Sequence, residues 1–301
     1  MGDSMRNEKV RGVIVPIVTP FDSEGKIDKK ALHKLCEYLI ENKVHGIFVL
    51  GTTGEAPKLA LKEKIEMIKL VINYVDGRVP VYVGTGSVST KETLYLTKIA
   101  EEHGADLAAI VAPYYFKPSQ EAVFKHFKTV AERTKIDILL YNIPSCTGYT
   151  LSIPTIKKLV DESENIVGIK DSSGNINYFF EVLESVGDDI SVLQGTETLI
   201  LPSLMLGAHG VVAGGANIYP NLHVKLYNEF LRGNLGEAVK IYRKIFRLAS
   251  VLENLGDIPA SIKEALKLKG LHVGEAREPK KEFTEYEVKK LQKTINLLEE
   301  Q

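Results

Sequence analysis

The chain has little cysteine, no long apolar run and no surplus of charge, and each shortage removes a class of protein. Only Cys36 and Cys146 occur among 301 residues, which argues against a disulfide framework or a cysteine-rich metal site and suits a reducing cytoplasm. No apolar stretch approaches the roughly 20 residues of a membrane span, and the start, MGDSMRNEKVRG, lacks the apolar core of a secretory signal. Gly2 invites a myristoylation reading, but Arg6 stands where Ser or Thr is required, and Met1–Ser4 reads as an expression remnant ahead of Met5. Lys and Arg number 38 against 39 Asp and Glu, a net charge of -1, so the basic footprint of a nucleic-acid partner is missing. Metal-ligand spacings such as HxH or HExxH and the G-x-S-x-G nucleophile elbow are missing too. GTGSVS (84–89) lacks the third glycine of a dinucleotide fingerprint and reads as a strand-to-helix turn. The histidines are scattered; only His209, in GAHG, falls near a strand, at the wrong end for a barrel site. A soluble cytoplasmic protein is expected, with neither metal nor cofactor.

What the chain does have is alternation. Strand-like runs recur at Val13–Val18, Gly46–Leu50, Pro80–Val83, Leu107–Val111, Ile136–Tyr141, Ile166–Ile169, Ile190–Leu193 and Gly210–Val212. Between them lie segments of helical periodicity, such as Leu32, Leu35 and Leu39, or Ile65, Ile68 and Val71. Ser89 or Thr90 and Ser119 suit helix N-caps, and Gly104 and Gly207 suit helix C-termini. Eight strand-plus-helix units within about 230 residues predict an α/β fold, a TIM (β/α)8 barrel. Helices alone follow, at about Ala238–Leu255, Ser261–Leu268 and Thr284–Glu299. The expected division is a barrel domain over 1–233 and a C-terminal α-helical extension over 234–301 packed on it.

One strand carries an anomaly. IVGIKDSSG (166–174) reads as a buried strand of a parallel sheet, yet it ends in Lys170, and burying an ammonium is costly. Period-2 alternation puts Ile166, Gly168 and Lys170 on one face, with open space expected at Gly168. Lys170 either snorkels to water and pairs with Asp171, or is held as a neutral amine able to form a Schiff base with a ketone.

Barrel sites lie at the C-terminal ends of the strands. Three stretches meet that condition and are expected to share one mouth: GTTGEAP (51–57), YNIPSCTGYT (141–150) and Lys170. In the first, backbone amides and the Thr52 and Thr53 hydroxyls can hold a small anion, given a following helix N-terminus. In the second, Tyr141 falls in phase with Leu139 and points toward the Lys170 face, where its hydroxyl could move protons. Tyr114 and Tyr115, in APYYFKP, are expected at a pocket or a subunit interface.

Together GTTGE, APYYFKPSQ, YNIPSCTG and GIKDSSG, in this order and spacing, resemble the dihydrodipicolinate synthase/N-acetylneuraminate lyase family. The resemblance runs from Val18 to Gly270. It implies a (β/α)8 barrel, a homotetramer built from tight dimers, and a class I lyase that joins or releases pyruvate through a lysine Schiff base. By position it implies Lys170 as the Schiff-base lysine, Tyr141 as the proton-transfer residue, and Thr52 and Thr53 as holders of the pyruvate carboxylate. Tyr115 corresponds to the tyrosine that reaches a neighbouring subunit's site to complete a relay with Thr52 and Tyr141, and the Val212 backbone lies beside pyruvate.

One position departs from the synthases, which generally carry an arginine where this chain has Cys146. A thiol cannot grip a carboxylate in a bidentate way, and no arginine occurs between Arg133 and Arg232. Cys146 is expected to line the pocket. Ser172, Ser173 and Glu197, the last resembling a sugar-binding acid of the sialate branch, suit hydroxyls. The expected reaction is thus reversible cleavage of a 2-keto-3-deoxy sugar acid, such as 2-keto-3-deoxygluconate, to pyruvate and an aldehyde. The alternatives are dihydrodipicolinate synthesis from pyruvate and aspartate semialdehyde, a sialate-type lyase or dehydratase, and a non-catalytic 2-oxo-acid sensor.

Overall fold

A computed structural model describes residues 10–300; the readings of Gly2, Arg6 and Met1–Ser4 lie outside the described residues. Eight strands follow one another as β1 (Gly12–Pro16), β2 (Gly46–Val49), β3 (Val81–Gly84), β4 (Leu107–Val111), β5 (Asp137–Asn142), β6 (Ile166–Asp171), β7 (Ser191–Gln194) and β8 (Gly210–Val212). They form a closed parallel barrel in chain order, and a helix follows each of β1–β8. Nearly every strand residue is buried, as expected for a sheet covered on both faces, where each enclosed Val, Ile or Leu contributes about 1.5–3 kcal/mol.

Local chemistry sets the element boundaries. Asp28 accepts hydrogen bonds from Lys30 and Ala31 N–H, Ser89 from Glu92 N–H and Ser119 from Ala122 N–H, each opening a helix after a strand; such a cap stabilises by about 1 kcal/mol. Gly104 and Gly207 take positive φ of 84° and 103° just beyond helix ends, where a side chain would be strained.

The chain divides into two compact units. One comprises residues 10–12 and 80–212 and holds β3–β8; the other comprises 13–79 and 213–300 and holds β1 and β2. In the second unit the stretch after β8 adds helices at Pro220–Leu231, Leu235–Leu255, Ile258–Leu268 and Glu285–Glu299. Among the described residues no helix is long and apolar enough to cross a membrane.

Three expectations about strand detail need correction. The β5/β6 register runs Ile138 to Ile166 but Leu139 to Gly168, so one extra residue sits in β6 and Ile166 falls out of phase with Gly168 and Lys170. The space at Gly168 is filled, since a Cβ there would lie 2.8 Å from Leu139 Cδ1 and 2.9 Å from the Ser191 carbonyl oxygen. His209 is not alone near a strand, for His45 precedes β2. His45 Nδ1 accepts from Val13 N–H at 3.1 Å and His209 Nδ1 accepts from Val192 N–H at 3.0 Å. Burial holds both rings below the usual histidine range, which keeps the acceptor nitrogen available.

Candidate active site

In the first unit the parallel register places Tyr141, Lys170 and Leu193 at one level of β5, β6 and β7, and Asn142, Asp171 and Gln194 at the next. Successive residues of a strand point to opposite faces, so the two levels do different work.

Lys170 is 4% exposed. Its Nζ stands 3.9 Å from the centroid of the Tyr141 ring, over the ring face, and Tyr141 is itself buried. An amine is thus held at the end of a strand against an aromatic wall, where rotamers are few and the reacting atom has a fixed position.

The adjacent carboxylate is engaged elsewhere. Asp171 Oδ1 accepts from Asn142 Nδ2 at 2.7 Å and from Ser173 N–H at 3.1 Å, while Oδ2 accepts from the Ser173 hydroxyl at 2.7 Å. Burial raises the Asp171 carboxyl above the usual carboxylate range, against the opposing pull of the Asn142 and Ser173 donors and the Lys170 charge. The other residues of this level act similarly. Asn142 Oδ1 accepts from Leu151 N–H at 3.0 Å, and Gln194 accepts from Thr196 N–H at 2.7 Å while donating to Ser203 Oγ at 2.6 Å. Each strand end therefore ties down the loop that leaves it, and these buried polar groups are satisfied in doing so.

Gly195 completes this arrangement. A Cβ at Gly195 would fall 2.1 Å from Ser172 Oγ and 2.7 Å from Lys170 Cε, so the lysine stem runs through space that only glycine leaves open. Sequence reasoning missed Gly195, Asn142, Asp171 in its tying role, and Gln194. Their signal is a polar residue directly after the inward-facing one on three successive strands, in YN, KD and LQ.

The remaining expected residues of this unit are distributed as follows. Ser172 is half-buried after β6, and its N–H donates to the Asn142 carbonyl at 2.8 Å. Glu197 is buried at the start of a short turn, Glu197–Leu199, after β7. Cys146 is exposed in the single helical turn Pro144–Thr147 after β5. Val212 is buried and ends β8. Tyr115 is 87% exposed, with φ of 78°, and its ring meets that of exposed Phe116 edge-on at 5.0 Å. A bulky residue in this left-handed region is strained, and two adjacent aromatics in water are a costly surface. Tyr114 is half-buried, and burial raises its hydroxyl above the usual tyrosine range.

In the second unit Thr52 and Thr53 follow the C-terminal end of β2, with Thr52 exposed and Thr53 buried. The loop is drawn into a tight turn by Gly54 N–H to the Gly51 carbonyl at 3.1 Å and Glu55 N–H to the Thr52 carbonyl at 3.0 Å. It does not enter an α-helix directly, as expected from the sequence. A three-residue 3-10 turn, Ala56–Lys58, intervenes, and the helix begins at Leu61. Any anion bound by this loop is therefore met by the turn's own groups, without a helix N-terminus. Among the described residues no cluster of His, Cys, Asp or Glu could hold a metal ion.

A sequence model described as the Dihydrodipicolinate synthetase family matches residues 9–298. The curated 4-hydroxy-tetrahydrodipicolinate synthase of Oceanobacillus iheyensis is 38% identical over 285 residues, 94% of this chain and 96% of that protein. That of Methanococcus maripaludis is 40% identical over 289 residues, 96% of this chain and 99% of that protein. Among solved structures, the 4-hydroxy-tetrahydrodipicolinate synthase of Methylacidiphilum fumariolicum superposes with a TM-score of 0.94 at 39% identity, covering 97% of each chain. The dihydrodipicolinate synthase of Acinetobacter baumannii, solved with pyruvate, gives 0.91 at 35% identity, covering 95% of this chain and 98% of that one.

Proposed function

Because the chain belongs to the dihydrodipicolinate synthetase family, and so to the class I lysine Schiff-base lyases, we propose that it condenses pyruvate, held as an imine on Lys170, with aspartate semialdehyde. The observation that carries this reading is the Lys170 amine fixed 3.9 Å above the Tyr141 ring at the buried end of β6. The amine adds to C2 of pyruvate, and loss of water gives the imine. Loss of a proton from C3 gives an enamine, whose carbon attacks the aldehyde. The amine of the semialdehyde then displaces Lys170, which closes the nitrogen ring and frees the enzyme.

Tyr141 moves the protons of these steps, Thr52 and Thr53 hold the pyruvate carboxylate, and Val212 contributes its backbone to pyruvate binding. Tyr115 completes the relay from a neighbouring subunit of a homotetramer; its exposure and strained backbone support a residue that is satisfied only on assembly. Ser172 and Glu197 face the second substrate. The protein works in the cytoplasm.

This choice of second substrate replaces cleavage of a 2-keto-3-deoxy sugar acid as the leading reading, since the full-length curated relatives are synthases. The sugar-acid reading keeps one observation in its favour, the exposed thiol of Cys146 where a carboxylate-gripping arginine is expected. Purified enzyme with pyruvate plus aspartate semialdehyde, set against pyruvate plus glyceraldehyde, separates the two. Higher kcat/KM for the semialdehyde is expected. Turnover of glyceraldehyde alone would restore the sugar-acid reading.

A further inference from the structure

Three residues beyond Thr52 lies a carboxylate that the proposed reaction does not use. Glu55 adopts a left-handed backbone, φ 57° and ψ 29°, a strained conformation for a residue with a side chain. Its own N–H and that of Gly54 close the Thr52–Thr53 turn, and the Thr19 hydroxyl donates to the Gly54 carbonyl at 2.6 Å. The Glu55 side chain is wholly buried and its two oxygens are held from different directions. Oε1 lies 2.8 Å from Lys263 Nζ as an ion pair, while Oε2 accepts from Arg277 N–H at 2.8 Å and from Lys58 Nζ at 3.4 Å.

The cations are themselves anchored. Lys263, 2% exposed on the helix Ile258–Leu268, donates to the Glu275 carbonyl at 3.0 Å, and its Nζ lies 4.2 Å from the Phe21 ring centroid. Lys58 donates to the Arg277 and Pro279 carbonyls at 2.8 and 2.9 Å. The Arg277 guanidinium forms a bidentate pair with Glu63 at 2.8 and 2.9 Å. The extended segment after the Lys263 helix is thus stitched to the threonine loop.

A buried ion pair is a poor device for stability alone, because desolvating both charges offsets their attraction and apolar packing of equal volume often stabilises as well or better. What it adds over packing is direction: it fixes where the Glu55 side chain points, and with it the turn that the Glu55 N–H closes. We propose that Lys263 and Glu55 form a positioning clasp that sets the Thr52–Thr53 turn for the carboxylate of pyruvate. The inference rests on the proposed function, and extends it from residues that touch substrate to a helix that does not. Burial lowers the Lys263 ammonium to about 8, against the Glu55 charge that holds its proton.

The test uses wild type, Glu55→Gln, and the double variant Lys263→Met/Glu55→Gln, in which no lone charge is left buried. The readouts are the pyruvate concentration giving half-maximal borohydride trapping on Lys170, and the thermal midpoint, with trapping done well below that midpoint. Both variants are expected to need about 10-fold more pyruvate or more, as for a displaced charge-assisted contact, yet to trap fully at saturation. Wild-type half-saturation in either folded variant would overturn the clasp, since a merely structural role lowers the midpoint without moving half-saturation. No trapping in folded wild type would contradict the Schiff-base reading itself, and the clasp with it.

Discussion

Among the described residues each unit buries a lysine against an aromatic ring, and the two environments differ in where the carboxylate points. Lys170 stands 3.9 Å from the Tyr141 centroid and Lys263 4.2 Å from that of Phe21. Beside Lys263 the Glu55 carboxylate turns toward the ammonium at 2.8 Å. Beside Lys170 the Asp171 carboxylate turns to Asn142 and Ser173. Burial and an aromatic wall are therefore common to both and do not make a nucleophile. The Glu55 carboxylate is aimed at its ammonium, whereas the Asp171 carboxylate is tied by hydrogen bonds to Asn142 and Ser173.

Substitutions that exchange the two fates should separate them, beginning with the largest effect. Lys170→Ala should abolish trapping and lower turnover by about 10³-fold or more, as read from steady-state rates; retained turnover would break the contrast. Lys263→Met alone should leave trapping at saturating pyruvate intact while raising the half-saturating pyruvate concentration, because Glu55 loses the group that aims it. Gly195→Ala should lower kcat/KM by about 10²-fold by displacing the Lys170 stem, with little change in the pyruvate half-saturation that the clasp controls.

The smallest effect concerns pH. Because Lys263 is lowered to about 8, the folded chain releases its proton before the unfolded chain does. From pH 8 toward the usual lysine range the unfolded chain binds more protons, so this group adds to stability as pH rises. Over the same window Lys263 loses its positive charge, with Glu55, Lys58 and Arg277 around it. Half-saturating pyruvate for wild type should rise several-fold relative to the double variant between about pH 7 and 9, with no fall in thermal midpoint from Lys263. A parallel pH response of the two proteins would sever Lys263 from the threonine loop.

The barrel was readable because burial on both faces writes short apolar runs, and because Ser89, Ser119, Gly104 and Gly207 mark helix ends by local chemistry. Lys170 was readable because an ammonium in such a run is anomalous. What escaped depends on geometry that spacing does not encode. The extra residue in β6 shifts the phase of Ile166 beside Gly168, a glycine of the kind that marks a bulge but that also fits a regular strand. The space at Gly168 was misread because Leu139 and Ser191 fill it from neighbouring strands. Gly195 matters only through the path of the Lys170 stem, and the Glu55–Lys263 pair joins residues some 200 positions apart.

The most direct test of the contrast is borohydride reduction of the folded enzyme with pyruvate, followed by peptide mapping of the adduct by mass spectrometry. The adduct should sit on Lys170, with none on Lys263. An adduct on Lys263, or none on Lys170, would contradict the assignment of anchor and nucleophile.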